Sequence, residues 1–332
     1  MNTAKIDALI TRMRAGEEAA LARMITMIER EDSAVPYMMS EINKDLGKAY
    51  TIGITGPPGA GKSTLTDKMT KLLREQGFDI AIIAIDPSSP FTGGAVLGDR
   101  VRMESHYLDP GVFIRSMATR GCHGGLSRSV QDTVKLCDAA GKDFILLETV
   151  GVGQTELDII QVADSVQVVL VPEAGDAIQM LKAGLMEIAD VFVVNKADRD
   201  PSGTMAAGLK SILQMKYNTT GGITRKSEQP TDHESIWYVP VVQTEGLNNK
   251  GIQALLEELN KHRQHLNTTG KLETRRKQRR REELKTRLQS RFIRRLDESA
   301  TKNHKVQALI NQVVEGNISS HAATDQLIDE LL

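Results

Sequence analysis

The stretch from Tyr50 to Thr66, YTIGITGPPGAGKSTLT, constrains this chain more than any other. A β-branched run leads into a glycine-rich turn and then a helix-forming run. The turn fits G-x-x-x-x-G-K-[ST] with Gly56, Gly61, Lys62 and Ser63 in register. In such a turn the backbone N–H groups face inward on phosphate oxygens. Gly56, Pro57, Pro58, Gly59, Ala60, Gly61, Lys62, Ser63 and Thr64 are therefore the expected cradle for a triphosphate. Lys62 would spread positive charge over the β/γ oxygens, and the Ser63 hydroxyl would ligate Mg²⁺. The competing reading is a glycine-rich strand-to-helix turn with an incidental lysine; it has to treat strand, loop and helix in this order as coincidence.

With 332 residues there is room for a full α/β core and helical additions at both ends. A formal net charge of −1 implies neither a general nucleic-acid binder nor a membrane protein. No apolar run approaches the roughly 18 residues needed to span a bilayer. The segment MNTAKIDALITRMRAGEE has neither a signal-peptide core nor transit-peptide character, so a cytoplasmic setting is expected. Cys122 and Cys137 are the two cysteines, which fits a reducing compartment rather than a disulfide framework.

Residues 1–48 read as helices: Ile6, Leu9, Ile10 and Met13, then Leu21, Met24, Ile25 and Ile28, recur at helical spacing on either side of Gly16. From residue 49 to 265 apolar strands alternate with helical patterns, at 50–55, 80–86, 112–116, 144–149, 165–171, 190–195 and 237–243. These strands are apolar almost throughout rather than alternating, so both faces should be buried in a mostly parallel sheet flanked by helices. Ligands of such sheets sit at the carboxyl ends of the strands, and the remaining motifs fall there. Asp86 ends the second strand and opens PSSPFTGGAVLGDRVRM, a Gly-, Ser- and Pro-rich loop in the place of a switch segment. Asp86 can reach the Mg²⁺ shell directly or through water, and Asp99 can approach the γ-phosphate; a helix or turn cap is the bland reading of each.

The fourth strand, DFILLETVGVGQTE, carries Glu148 where a Walker B carboxylate belongs, and the Gly151 N–H is placed to sense a γ-phosphate. Glu is one methylene longer than the usual Asp, so it should act on the ion through water. Val152 follows Gly151 where Ras-like enzymes carry the water-orienting Gln. Intrinsic hydrolysis should therefore be slow and depend on another group, for which Gln154 is a weak candidate. On the sixth strand VFVVNKAD supplies N-K-x-D. Asp198 can accept two hydrogen bonds from the guanine N1 and N2 donors, Asn195 meets the opposite edge of the base, and Lys196 lies over the ring. A site built for one base leaves its own polar groups unpaired with another, so discrimination can be large. Val242 to Gly246 occupies the place of a last guanine-binding loop, with Thr244 and Gly246 as contacts.

GPPGAGKST, AIDPSSPFTGGAVLGDRVRM, ETVGVGQTE, EAGDAIQMLKAGLMEIAD and NKAD together resemble the methylmalonyl-CoA mutase-associated GTPases, bacterial relatives of the mitochondrial cobalamin-chaperone GTPase. GEEAALARMITMIERE and VVEGNISSHAATDQLIDELL resemble that family's flanks, so the likeness covers nearly the whole chain. It implies a P-loop NTPase fold with an N-terminal helical layer over 1–48 and a C-terminal helical dimerisation arm over 266–332. It implies GTP and GDP with Mg²⁺ as ligands, and a homodimer whose partner is an adenosylcobalamin-dependent acyl-CoA mutase, with no nucleic acid or membrane. It also implies that Asp86, Asp99, Glu148 and Lys182 surround Mg²⁺ and the γ-phosphate in three switch segments. Lys182, within GDAIQMLKAG, owes its place to the resemblance alone; by itself it reads as a surface helix lysine.

Two features pull elsewhere. Cys122-His123 invites a nickel-insertion reading, but two adjacent ligands on one loop cannot fill a tetrahedral site without a second subunit. The stretch from Leu272 to Leu296 is densely basic, yet Leu284, Leu288, Phe292 and Leu296 recur every four residues and Glu282 and Glu283 interrupt the charge, which favours a helix meeting another chain over a nucleic-acid surface. A kinase or ATPase of a lysine-arginine-ornithine transport system, a label attached to similar sequences, is the other alternative; the guanine reader argues against it. The polar segment Thr219 to Ser235 reads as a disordered insertion.

Overall fold

Seven apolar strands separated by amphipathic helices can bury every strand only by lying side by side with helices over both faces. The computed structural model describes residues 3–86, 103–118, 128–149, 155–172, 184–220 and 236–331. Its strands are β1 (Tyr50–Thr55), β2 (Ile80–Asp86), β3 (Val112–Ala118), β4 (Phe144–Thr149), β5 (Ser165–Leu170), β6 (Val191–Asn195) and β7 (Val241–Thr244). They form one seven-stranded sheet in the order β3-β2-β4-β1-β5-β6-β7, every pairing parallel. β1 has β4 on one side and β5 on the other, so the strand order turns over at its carboxyl end and a crevice opens there. The glycine-rich turn starts at that point.

Helices of eight residues or more are α1 (Thr3–Arg14), α2 (Glu18–Glu29), α3 (Val35–Ile42), α4 (Lys62–Glu75), α5 (Arg128–Ala139), α6 (Ser202–Thr220), α7 (Ile252–Thr268), α8 (Lys271–Lys302), α9 (His304–Val314) and α10 (Ser320–Leu331). On one face of the sheet Ile52, Ile54, Ile82 and Leu146 pack with Leu65, Met69 and Leu73 of α4 and Leu255 and Leu259 of α7. On the other, Ile83, Ile145, Leu147 and Val168 pack with Leu136 and Cys137 of α5, and that cluster continues into Ile10, Met13, Met24, Ile25 and Met38 of the first three helices. Burial pushes the Cys137 thiol up to about 12, so it is a packing residue rather than a nucleophile.

The chain divides into two compact units, Met1–Glu273 and Thr274–Leu332. The first three helices thus share a unit with the sheet. In the second, α9 and α10 pack together. The last strand differs from expectation: it runs from Val241 to Thr244 rather than from 237. Pro240 has no N–H for the ladder, and the residues before it bond elsewhere. The Trp237 indole N–H donates to the Asp190 carbonyl (2.8 Å), the Tyr217 hydroxyl donates to the Trp237 carbonyl (3.3 Å), and the Val239 N–H donates to that same hydroxyl.

The chain enters β1 through a turn fixed by one carboxylate. Asp138, at the end of α5, accepts the backbone N–H groups of Gly47 (2.5 Å), Lys48 (3.0 Å) and Ala49 (2.8 Å). A hydrogen bond to a charged acceptor contributes about 1.5–3 kcal/mol. Asp138→Ala is expected to destabilise the first unit by about 2 kcal/mol, read by differential scanning fluorimetry as a melting temperature lower by about 5 °C.

Candidate functional site

The phosphate end of the site is a backbone conformation that two glycines make possible. Gly56 has φ 135°, and a Cβ there would lie 2.0 Å from the Val169 carbonyl oxygen of β5. Gly61 has φ 88°, and a Cβ there would lie 2.3 Å from Asn195 Nδ2. The two invariant glycines of the motif thus answer to position as well as dihedral. The loop closes with the Ala60 N–H on the Pro57 carbonyl (3.3 Å), and the Leu65 N–H on the Gly61 carbonyl (3.0 Å) starts α4. The first amides of that helix have no intrahelical acceptor and carry its positive end, a seat for anionic oxygens. Lys62 arches back over the loop, its Nζ donating to the carbonyls of Gly56 (2.8 Å) and Pro57 (2.9 Å). That places an ammonium, 7% exposed as a residue, over the same cradle.

Behind the loop stands Glu148, near the end of β4 and 5% exposed. Ser63 Oγ donates to its Oε1 (2.5 Å) and Thr66 Oγ1 to its Oε2 (3.1 Å). β2 lies beside β4, with Ile85 in register with Thr149, so the backbone of Asp86 ends one residue further along the same edge. A serine hydroxyl and a glutamate carboxylate in direct contact make an all-oxygen pair that fits a hard, hydrated cation such as Mg²⁺. Ser63 would ligate the ion and Glu148 would hold its waters. Bound there, the ion would neutralise charge on the β/γ oxygens.

The other end of the candidate site is built around Asn195, the last residue of β6 and 2% exposed. Its Nδ2 donates to the Ala60 carbonyl (2.8 Å), and its Oδ1 accepts the Thr244 hydroxyl (3.0 Å) and the Gly246 N–H (3.1 Å). One carboxamide therefore ties the phosphate loop to the loop after β7. Asn195, expected from the sequence to meet an edge of the base, also braces the two loops. Lys196 turns the chain with φ 57°, the Ala197 N–H bonds the Thr244 carbonyl (3.0 Å), and Asp198 stands exposed in the turn that follows. Gly246 is close enough that a Cβ would lie 3.2 Å from Thr64 Cγ2 of α4.

The structure thus brings the phosphate loop, Glu148, Asn195, Thr244 and Gly246 together, and puts Lys196 and Asp198 on the adjoining turn. Asp86 is described in its backbone alone. Asp99, Gly151, Val152, Gln154, Lys182 and the Cys122-His123 pair lie outside the described residues. Thr66 escaped sequence reasoning. Its signal was a hydroxyl three residues past Ser63, hence on the same helical face.

The family model described as methylmalonyl Co-A mutase-associated GTPase MeaB matches residues 21–301. A Pyrococcus abyssi protein that carries a GTPase name is 45% identical over 98% of this chain and 97% of its own. The mouse protein named methylmalonic aciduria type A homolog, mitochondrial, is 28% identical over 97% of this chain and 79% of its own. Among solved structures, a crystal structure titled LAO/AO transport system kinase superposes with a TM-score of 0.70 and 26% identity, covering 99% of this chain and 98% of that one.

Because the Gly61 Cβ would collide with the Asn195 amide, Gly61→Ala tests both ends of the site at once. A left-handed alanine costs about 1–2 kcal/mol before any clash, so calorimetry should show guanine-nucleotide affinity lowered at least about tenfold.

Proposed function

Because the chain belongs to the methylmalonyl Co-A mutase-associated GTPase family, we propose that it uses GTP to gate the loading of adenosylcobalamin into an acyl-CoA mutase and to help clear damaged cofactor. Methylmalonyl-CoA mutase is the first client to test. The enzyme activity is GTP hydrolysis on a P-loop fold. The observation that carries the client reading is the reach of the family match, which extends from within α2 to near the end of α8. A nucleotide site alone does not require those flanks.

In this reading Lys62 and the α4 amides hold the β/γ oxygens, Ser63 and Glu148 hold Mg²⁺ and its waters, and Asp86, Asp99, Gly151 and Lys182 respond to the terminal phosphoryl group. Asn195, Lys196, Asp198, Thr244 and Gly246 form the guanine end. Val152 in place of a water-orienting glutamine leaves intrinsic turnover slow, so a partner that reorders the loops would accelerate it. Exposed Leu284, Leu288 and Ile293 on α8 support a second copy of the chain as one partner, with residues 266–332 as the dimerisation arm. The proposed setting is the cytoplasm; among the described residues no helix is long and apolar enough to cross a membrane.

The solved structure titled as a transport-system kinase offers a second reading, phosphoryl transfer to a protein substrate. The carboxylate of Asp198, offered to guanine N1 and N2, weighs for GTP. Light scattering of the purified chain, alone and with the mutase in a non-hydrolysable GTP analogue, should show a dimer that co-elutes with the mutase, and the mutase should raise GTP turnover about tenfold or more. GTPase activity indifferent to every acyl-CoA mutase of the source organism would remove the client assignment.

A further inference from the structure

We propose that Thr66 is a positioning residue for Glu148: its hydroxyl fixes the second carboxylate oxygen and so sets how the protein grips hydrated Mg²⁺. The inference rests on the reading of this site as one for Mg²⁺-bound guanine nucleotide. Glu148 has one more rotatable bond than the aspartate usual at this place, so its carboxylate has one more axis about which its orientation must be set. Ser63 and Thr66 are three residues apart on α4 and face the same way. Between them they hold both oxygens, Oε1 at 2.5 Å and Oε2 at 3.1 Å.

Thr66 is 0% exposed, which puts it out of reach of nucleotide and ion. Its oxygen also lies 3.0 Å from the Lys62 carbonyl one turn earlier. A hydroxyl has one proton for these two acceptors, and an ionised carboxylate is the stronger of them. The backbone carbonyl already receives the helical N–H, whereas the buried carboxylate would lose a donor to one of its oxygens. The competing role, a threonine satisfying its own helix, predicts no link to the ion.

The test is the Mg²⁺ dependence of nucleotide affinity in the full chain, read with a fluorescent GDP analogue. Thr66→Val keeps the shape and removes the hydroxyl. It should leave affinity in EDTA unchanged and raise the Mg²⁺ concentration for half-maximal tightening about tenfold, the usual effect of losing a partner of a metal-holding side chain. Thr66→Ser should return the midpoint to within about twofold of the parent. Thr66→Ala serves in place of the valine variant if that does not fold. An unchanged midpoint, a serine variant as impaired as valine, or an equal loss in EDTA would each overturn the proposal. A parent chain that binds no guanine nucleotide would instead refute the nucleotide reading from which this one descends.

Discussion

The side-chain amide of Asn195 is where the glycine-rich loop and the loop beyond β7 become one object. It is buried, and its bonds to Ala60, Thr244 and Gly246 join the P-loop to the loop beyond β7. An amide removed from water has to be bonded on both sides, or the desolvation of each unpaired atom counts against the fold. The two loops are therefore held at one spacing by a requirement of polar satisfaction. Gly61 belongs to the same constraint, since only a residue without Cβ lets the loop approach that amide.

Rigidity at this point depends on the sheet beneath it. β1 and β6 deliver Gly56 and Asn195 from strands whose side chains are packed on both faces. Close packing of this kind leaves little freedom for strand ends to shift independently. The N-terminal helices extend one of the two clusters, and Asp138 pins the turn between them and β1. A packing layer far from the chemistry thereby holds the strand that carries the phosphate loop. The opposite cluster includes α4, whose first turn supplies Lys62 and Ser63 and whose inner face supplies Thr66.

Much of this was legible beforehand for physical reasons. Strands buried on both faces show as continuous apolar runs, and six of the seven lie within two residues of their expected bounds. The last shifts because Pro240 and the bonds of Trp237 and Tyr217 are tertiary facts that local pattern does not carry. The turn from β1 into α4 was readable because its motif uses fixed residue types at fixed spacing. What escaped were partnerships across long sequence separation: Thr66 with Glu148, and Asn195 with Ala60 and Thr244. The spacing puts Thr66 on the helical face of Ser63, but local pattern does not show that one carboxylate, 82 residues away, meets both hydroxyls.

A crevice above β1 and β6 that selects a guanine nucleotide must distinguish it from an adenine nucleotide carrying the same phosphates. Titration calorimetry of the unmodified chain with GTP and with ATP, each with Mg²⁺, tests this selection most directly. GTP should bind at least about a hundredfold more tightly, because a site that hydrogen-bonds one base leaves its own polar groups unpaired with another. Equal affinity for the two nucleotides would contradict it.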